Sequence, residues 1–114
     1  MLIFHQLHYS IPGVGGSFEL PLAAQAMMNH VDAVICVGCL VKGETHHFEY
    51  LSQAVSQGIM QVQLKFNKPV LFGILPVLNM EQAKARCGLT SKENYGFEWG
   101  KSAIHSVELM RKYQ

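Results

Sequence analysis

Apolar residues recur along the 114-residue chain in two rhythms. From Val31 to Val41 the chain reads VDAVICVGCLV, and from Pro69 to Leu75 it reads PVLFGIL. Near-continuous apolar runs of this length predict strands covered on both faces, as in a parallel sheet. Between them Phe48, Leu51, Val55, Ile59, Val62 and Phe66 follow at intervals of three and four. That spacing predicts one helix from His47 to Phe66 with a single buried stripe, ended by Asn67 and Pro69. Met1 to Tyr9 is rich in β-formers and reads as a strand. Pro12, Gly13, Gly15 and Gly16 make Ser10 to Gly16 a flexible turn. Ser17 to Asn29 follows, with Pro21 suited to a first helical position and LAAQAMM propagating the helix.

Beyond the second apolar run, Asn79 and Gln82 form a capping-box pattern and Gly88 a stop, so a short helix is expected between Asn79 and Gly88. Leu89 to Tyr95 reads as a polar loop. A last helix is expected from about Phe97 to Tyr113, with Trp99, Ala103, Val107 and Met110 inward. The order β-α-β-α-β-α-α argues for one layered α/β domain over residues 1–114 with a mostly parallel sheet.

Composition narrows the function classes. A net charge of +1 gives no electrostatic footprint for nucleic acid or an anionic membrane. Charged residues are only 15% of the chain, which suggests that other subunits cover part of the surface. No apolar run reaches the ~18–20 residues of a spanning helix. The start, MLIFHQLHYS, lacks the basic region of a secretory signal. The three cysteines, Cys36, Cys39 and Cys87, sit in apolar surroundings and read as buried thiols of a reducing, cytoplasmic compartment. Cys36 and Cys39 form a C-x-x-C, but odd spacing on a strand sends the thiols to opposite faces, so metal or redox use is not expected.

Candidate chemistry concentrates in Gly38 to Tyr50, GCLVKGETHHFEY, a strand-to-helix turn. In parallel sheets such turns lie at the carboxyl ends of strands, where ligands collect. Thr45 is the expected N-cap, and the first helical amides favour an anion such as phosphate. His47, in the first turn, is the candidate proton acceptor. Each candidate has a plainer reading: His47 as a solvated histidine, Lys42 as an exposed turn lysine, Phe72 as core. Arg86 can simply complement the dipole of a short helix, and Glu19 that of a helix start.

GSFELPLAA, VDAVICVGCLVKGETHHFEY, GIMQVQL, PVLFGIL, NMEQAKARCG and NYGFEWGKSA occur in the order found in lumazine synthases, and the chain resembles that family from Pro12 onward. The resemblance implies a three-layer flavodoxin-like sandwich and a role in riboflavin biosynthesis. There, 5-amino-6-(D-ribitylamino)uracil condenses with 3,4-dihydroxy-2-butanone 4-phosphate to 6,7-dimethyl-8-ribityllumazine, phosphate and water, without metal or organic cofactor. By resemblance His47 is the proton shuttle, Arg86 holds the butanone phosphate, and Gly43, Glu44 and Thr45 form the phosphate-facing turn. Ser17 and Phe18 match the pyrimidine-binding turn, and Glu19 the carboxylate for ribityl hydroxyls. Leu40 and Val41 address the pyrimidine through their backbone. Phe72, Glu98 and Tyr95 match positions contributed by a neighbouring subunit. The resemblance also implies a homo-oligomer built of pentamers, with its site between subunits.

Two departures stand beside it. The family begins with a further strand and helix, so the chain reads as short at its amino end. The segment IPGVGG is also looser than the family's turn. The alternative reading is a non-catalytic flavin- or lumazine-binding or assembly subunit, or an inactive fragment, of the same family.

Overall fold

The apolar stripe at intervals of three and four folds as its period dictates: His47–Phe66 is one helix of 20 residues, with Val55, Ile59 and Val62 buried. It ends at Asn67, whose φ of 51° lies in the left-handed region, and Pro69 follows. The computed structural model describes residues 2–5, 8–44 and 46–114, with residues 2–5 and 8–10 given by their main chain alone. Along these residues run β1 (Leu2–His5), β2 (His8–Ser10), a 3-10 turn (Ser17–Glu19) and α1 (Leu20–Met27). Then come β3 (Ala33–Val41), α2 (His47–Phe66), β4 (Val70–Val77), α3 (Met80–Arg86) and α4 (Tyr95–Tyr113). Among the described residues no helix is long and apolar enough to cross a membrane.

The sheet has the order β2-β1-β3-β4. Its longest ladder is parallel and joins β3 to β4 from Val34↔Val70 to Val41↔Val77. The amino-terminal segment, expected as one strand, forms two. β1 pairs antiparallel with β2 and, through Leu2 to Phe4, antiparallel with residues 33–35 of β3. The α/β class therefore holds, with its parallel character carried by the β3–β4 pair.

Alternation along these strands sorts the core into two layers. Val34, Cys36 and Leu40 of β3, with Val70 and Ile74 of β4, pack under α1 and α2. On the other face Leu75 and Val77 pack against Ala83 of α3 and Trp99 of α4. Two glycines mark how closely the helical layers approach. A Cβ at Gly38 would lie 2.9 Å from Ser17 Oγ on the α1 side. A Cβ at Gly73 would lie 2.7 Å from the Cys36 carbonyl oxygen and 3.0 Å from the Trp99 ring on the α4 side.

Several boundaries differ from expectation: β3 begins at Ala33 and not at Val31, and α1 ends at Met27, short of Asn29. α2 starts one residue later than a Thr45 cap implies: His46 holds the cap position without a side-chain bond, and Thr45 lies outside the described residues. β4 runs on to Val77, because its ladder with β3 continues through Val41. α4 starts at Tyr95, because Asn94 Oδ1 accepts the Phe97 amide at 3.1 Å and caps the helix.

Candidate functional site

The first cavity lies between the 3-10 turn and the start of α2. It is an open groove of about 490 Å³ whose walls include Ser17, Phe18, Glu19, His47, Tyr50 and Leu51. Buried Leu20 anchors the turn at its carboxyl end, and the bare Gly38 backbone lets Ser17 sit directly on β3. The Glu19 amide donates to the Gly16 carbonyl at 3.2 Å, which closes the turn. On the opposite wall His47 is the first residue of α2 and is exposed. Tyr50 and Leu51 stand one turn further along, as a period of 3.6 requires. The groove thus combines an imidazole, a carboxylate, a hydroxyl and two aromatic faces, one of which, Phe18, is 65% exposed.

The turn that leads into α2 is fastened at both ends. The Lys42 amide donates to the Val77 carbonyl at 2.9 Å and carries the β3–β4 ladder one step further. Lys42 Nζ lies 3.2 Å from Glu49 Oε1. Glu49's own main-chain amide, then Lys42, hold the Glu49 carboxyl below its usual range. Gly43 and Glu44, between these anchors, are exposed. The His46 ring meets Tyr50 edge-on at 6.4 Å.

Arg86 belongs to a different cavity, about 210 Å³ in volume, whose walls include Val37, Leu75, Arg86, Tyr95 and Trp99. Asn79 starts α3 by accepting the Gln82 amide at 2.9 Å, and Gln82 Oε1 in turn accepts the Leu78 amide at 2.8 Å. This variant of the expected capping box places Arg86 in the last turn, where Nη1 donates to the Pro76 carbonyl at 3.4 Å. Gly88, at φ 90°, turns the chain away. Tyr95 packs edge-on against Trp99 at 6.4 Å. Glu98 is exposed in the first turn of α4 and pairs with Lys101 at 3.1 Å.

The two cavities belong to different helical layers, and a further one of about 260 Å³ shares Ser17 with the first and Val37 and Gly38 with the second. Gly38, against Ser17, has the even parity of the α1–α2 side, and Gly73, against Trp99, the odd parity of the α3–α4 side. His47 and Arg86 wall different cavities: His47 begins a helix of the α1–α2 layer, and Arg86 ends a helix of the α3–α4 layer. Ser17, Phe18, Glu19 and His47 come together; Arg86 and Tyr95 come together elsewhere. Phe72 joins neither cavity: it lies on edge strand β4, 36% exposed. Leu40 is buried and Val41 exposed, on opposite faces of β3. Of the three thiols expected to be buried only Cys36 is, and burial pushes it up to about 11; Cys39, on the other face of β3, and Cys87, at the end of α3, are exposed.

Leu51, expected only in the buried stripe of α2, also walls the groove, as does Tyr50 at the end of the candidate stretch. Their spacing of three and four from His47 is the signal that points to them. Trp99, expected only as core, also walls the Arg86 cavity.

Comparison with known proteins gives these cavities a family context. Residues 4–111 match the family model of 6,7-dimethyl-8-ribityllumazine synthase. A protein of that name from Cytophaga hutchinsonii is 48% identical over 99 residues, 85% of this chain and 60% of the relative. One from Schizosaccharomyces pombe is 49% identical over 96 residues, 82% of this chain and 60% of the relative. One from Trichormus variabilis is 43% identical over 101 residues, 87% of this chain and 52% of the relative. The chain thus spans between half and three-fifths of the length of these curated relatives. With nearly its whole length matched by the family model, the chain belongs to the 6,7-dimethyl-8-ribityllumazine synthase family.

Proposed function

We propose that the chain is a single lumazine synthase domain, a transferase of riboflavin biosynthesis. It condenses 5-amino-6-(D-ribitylamino)uracil with 3,4-dihydroxy-2-butanone 4-phosphate to 6,7-dimethyl-8-ribityllumazine, releasing phosphate and water. The observation that carries this reading is the groove in which Ser17, Phe18 and Glu19 face His47. The pyrimidine rests on Phe18 beside Ser17, with the Leu40 and Val41 backbone along its edge. Glu19 accepts hydrogen bonds from ribityl hydroxyls. Gly43, Glu44 and Thr45 line the approach of the phosphate, where main-chain amides meet the oxyanion.

The substrate amine attacks the ketone carbon, and loss of water gives an imine. His47 takes a proton from carbon as phosphate leaves, the resulting enol becomes a ketone, and the ribitylamino nitrogen attacks that carbonyl and closes the ring with loss of a second water. Positioning can supply several kcal/mol of the barrier and proton transfer roughly 10²–10⁴-fold in rate. A guanidinium fork suits the phosphate dianion, and Arg86 supplies it from a neighbouring copy, together with Phe72 and Glu98. The assembly is a homo-oligomer of pentamers, without metal, cofactor, nucleic acid or membrane. Its free thiols suit the cytoplasm.

The test is lumazine fluorescence from the purified, assembled protein supplied with both substrates. Product formation that scales with the assembled fraction supports the reading; assembled protein that binds both substrates and makes no lumazine overturns it. That second outcome would favour the binding-subunit reading, which draws on the separation of Arg86 from His47 within one chain.

A further inference from the structure

We infer that the Lys42–Glu49 ion pair is a positioning clasp: it closes over residues 43–48 and holds the His47 imidazole toward the groove beside Ser17 and Glu19. Both partners are fixed before they meet. Lys42 is tied by its amide to the Val77 carbonyl at 2.9 Å, so its Cα moves with the sheet. Glu49 accepts its own main-chain amide, so its carboxylate is held at the head of α2. Nζ and Oε1 then lie 3.2 Å apart. Such preorganisation lowers the side-chain entropy that usually cancels an exposed ion pair.

The helix has need of such a tie, because His46 at the cap position makes no side-chain cap bond. Carboxylates in a first helical turn also favour the positive end of the dipole. Lys42 and Glu49 are each about half exposed, at 48% and 44% of their side-chain surface, so global stability is not their contribution. What they bracket is the turn itself: Gly43 and Glu44, then His46 and His47. A displacement of about 1 Å in a reacting group can cost up to ~10²-fold in rate, so a weak tie at this place has leverage. The catalytic consequence rests on the reading of His47 as proton shuttle; the geometric one does not.

The test uses the full chain with ring-labelled histidine, the His47 resonance being assigned with His47→Gln. Lys42→Ala and Glu49→Gln should each shift or broaden the His47 Cε1–H signal, while the melting temperature moves by no more than about 3 °C. The double variant should add nothing to either single one. Lys42→Arg, which keeps a cation facing Glu49, should restore the signal. In turnover, Lys42→Ala should lower kcat about 10-fold with KM nearly unchanged, and Lys42→Arg should recover it. A His47 signal unmoved in both single variants, or additive effects, overturns the clasp. So does a Lys42→Arg variant as impaired in turnover as Lys42→Ala, since Lys42 would then act on substrate directly. If the parent chain makes no lumazine while the His47 signal still follows the pair, the clasp stands and the synthase reading falls.

Discussion

The Trp99 indole lies directly over Gly73: a Cβ on that glycine would come within 3.0 Å of Trp99 Cε3 and 2.7 Å of the Cys36 carbonyl oxygen. The indole could tilt, but the carbonyl belongs to the neighbouring strand and cannot yield without breaking the β3–β4 ladder. Gly73→Ala should therefore destabilise the protein by about 1–3 kcal/mol, as overpacking does elsewhere. Urea unfolding should show a lower midpoint at unchanged slope. The Arg86 cavity, walled by Trp99, should be disturbed, and the His47 groove on the other face should not.

His47 and Arg86 should fail in different ways. His47→Ala should lower kcat by roughly 10²–10⁴-fold with modest change in substrate affinity. Arg86→Ala should mainly raise KM for the butanone phosphate. Steady-state kinetics with each substrate varied separates the two patterns, and the reverse pattern would mean the roles are exchanged.

The opposite placement of those residues predicts complementation. Mixed after unfolding and reassembled, His47→Ala and Arg86→Ala chains should recover about a quarter of the parent activity, the share of random contacts that pair two intact halves. Absence of recovery in properly assembled mixtures would show that one chain builds its own site.

Asn79 reaches the same site through stability. Its Oδ1 caps α3 through the Gln82 amide at 2.9 Å, and α3 carries Arg86 in its last turn. Asn79→Ala should cost about 1 kcal/mol and raise KM for the phosphate substrate, whereas Asn79→Asp or Asn79→Ser should retain both properties.

Cys36 sets an alkaline limit. Its thiol is raised from 9.0 to about 11 by burial in the folded chain. Below pH 9 both folded and unfolded chains keep the proton, so nothing changes. Between pH 9 and 11 the unfolded chain releases it and the folded chain retains it, so stability should fall as pH rises through that window. Cys36→Ala should abolish this slope in denaturation measured across it. In the native protein a thiol reagent at neutral pH should modify exposed Cys39 and Cys87 well before buried Cys36.

Much of this architecture is legible in the chain because local signals are strong where the core is continuous. The α2 stripe gives both helix ends, His47 and Phe66, since its period and its stop at Asn67 agree. The amino end is less legible: β-formers from Met1 to Tyr9 indicate strand, but nothing such as Asn-Gly between them marks the change from β1 to β2. The segment NYGF reads as loop because its glycine and asparagine are turn residues, although the asparagine serves as the cap of α4. For the site, motif order identifies His47, Ser17, Phe18 and Glu19 as candidates, and the structure brings these four together. Motif order does not say on which face of the sheet Arg86 lies. That depends on the crossover after β4, a tertiary property that local periodicity does not encode.

The sheet's two-sidedness has one consequence for assembly. His47 and Arg86 stand in different helical layers, so, if a neighbour completes the site as proposed, a twofold pair, in which both copies present the same patch, does not serve both at a single contact. Under that proposal each docking event would leave a lone groove at one end and a lone arginine at the other, open to the next copy. Growth of that kind stops only when the last copy reaches the first, so a closed cycle is the smallest object in which no half-site is left over.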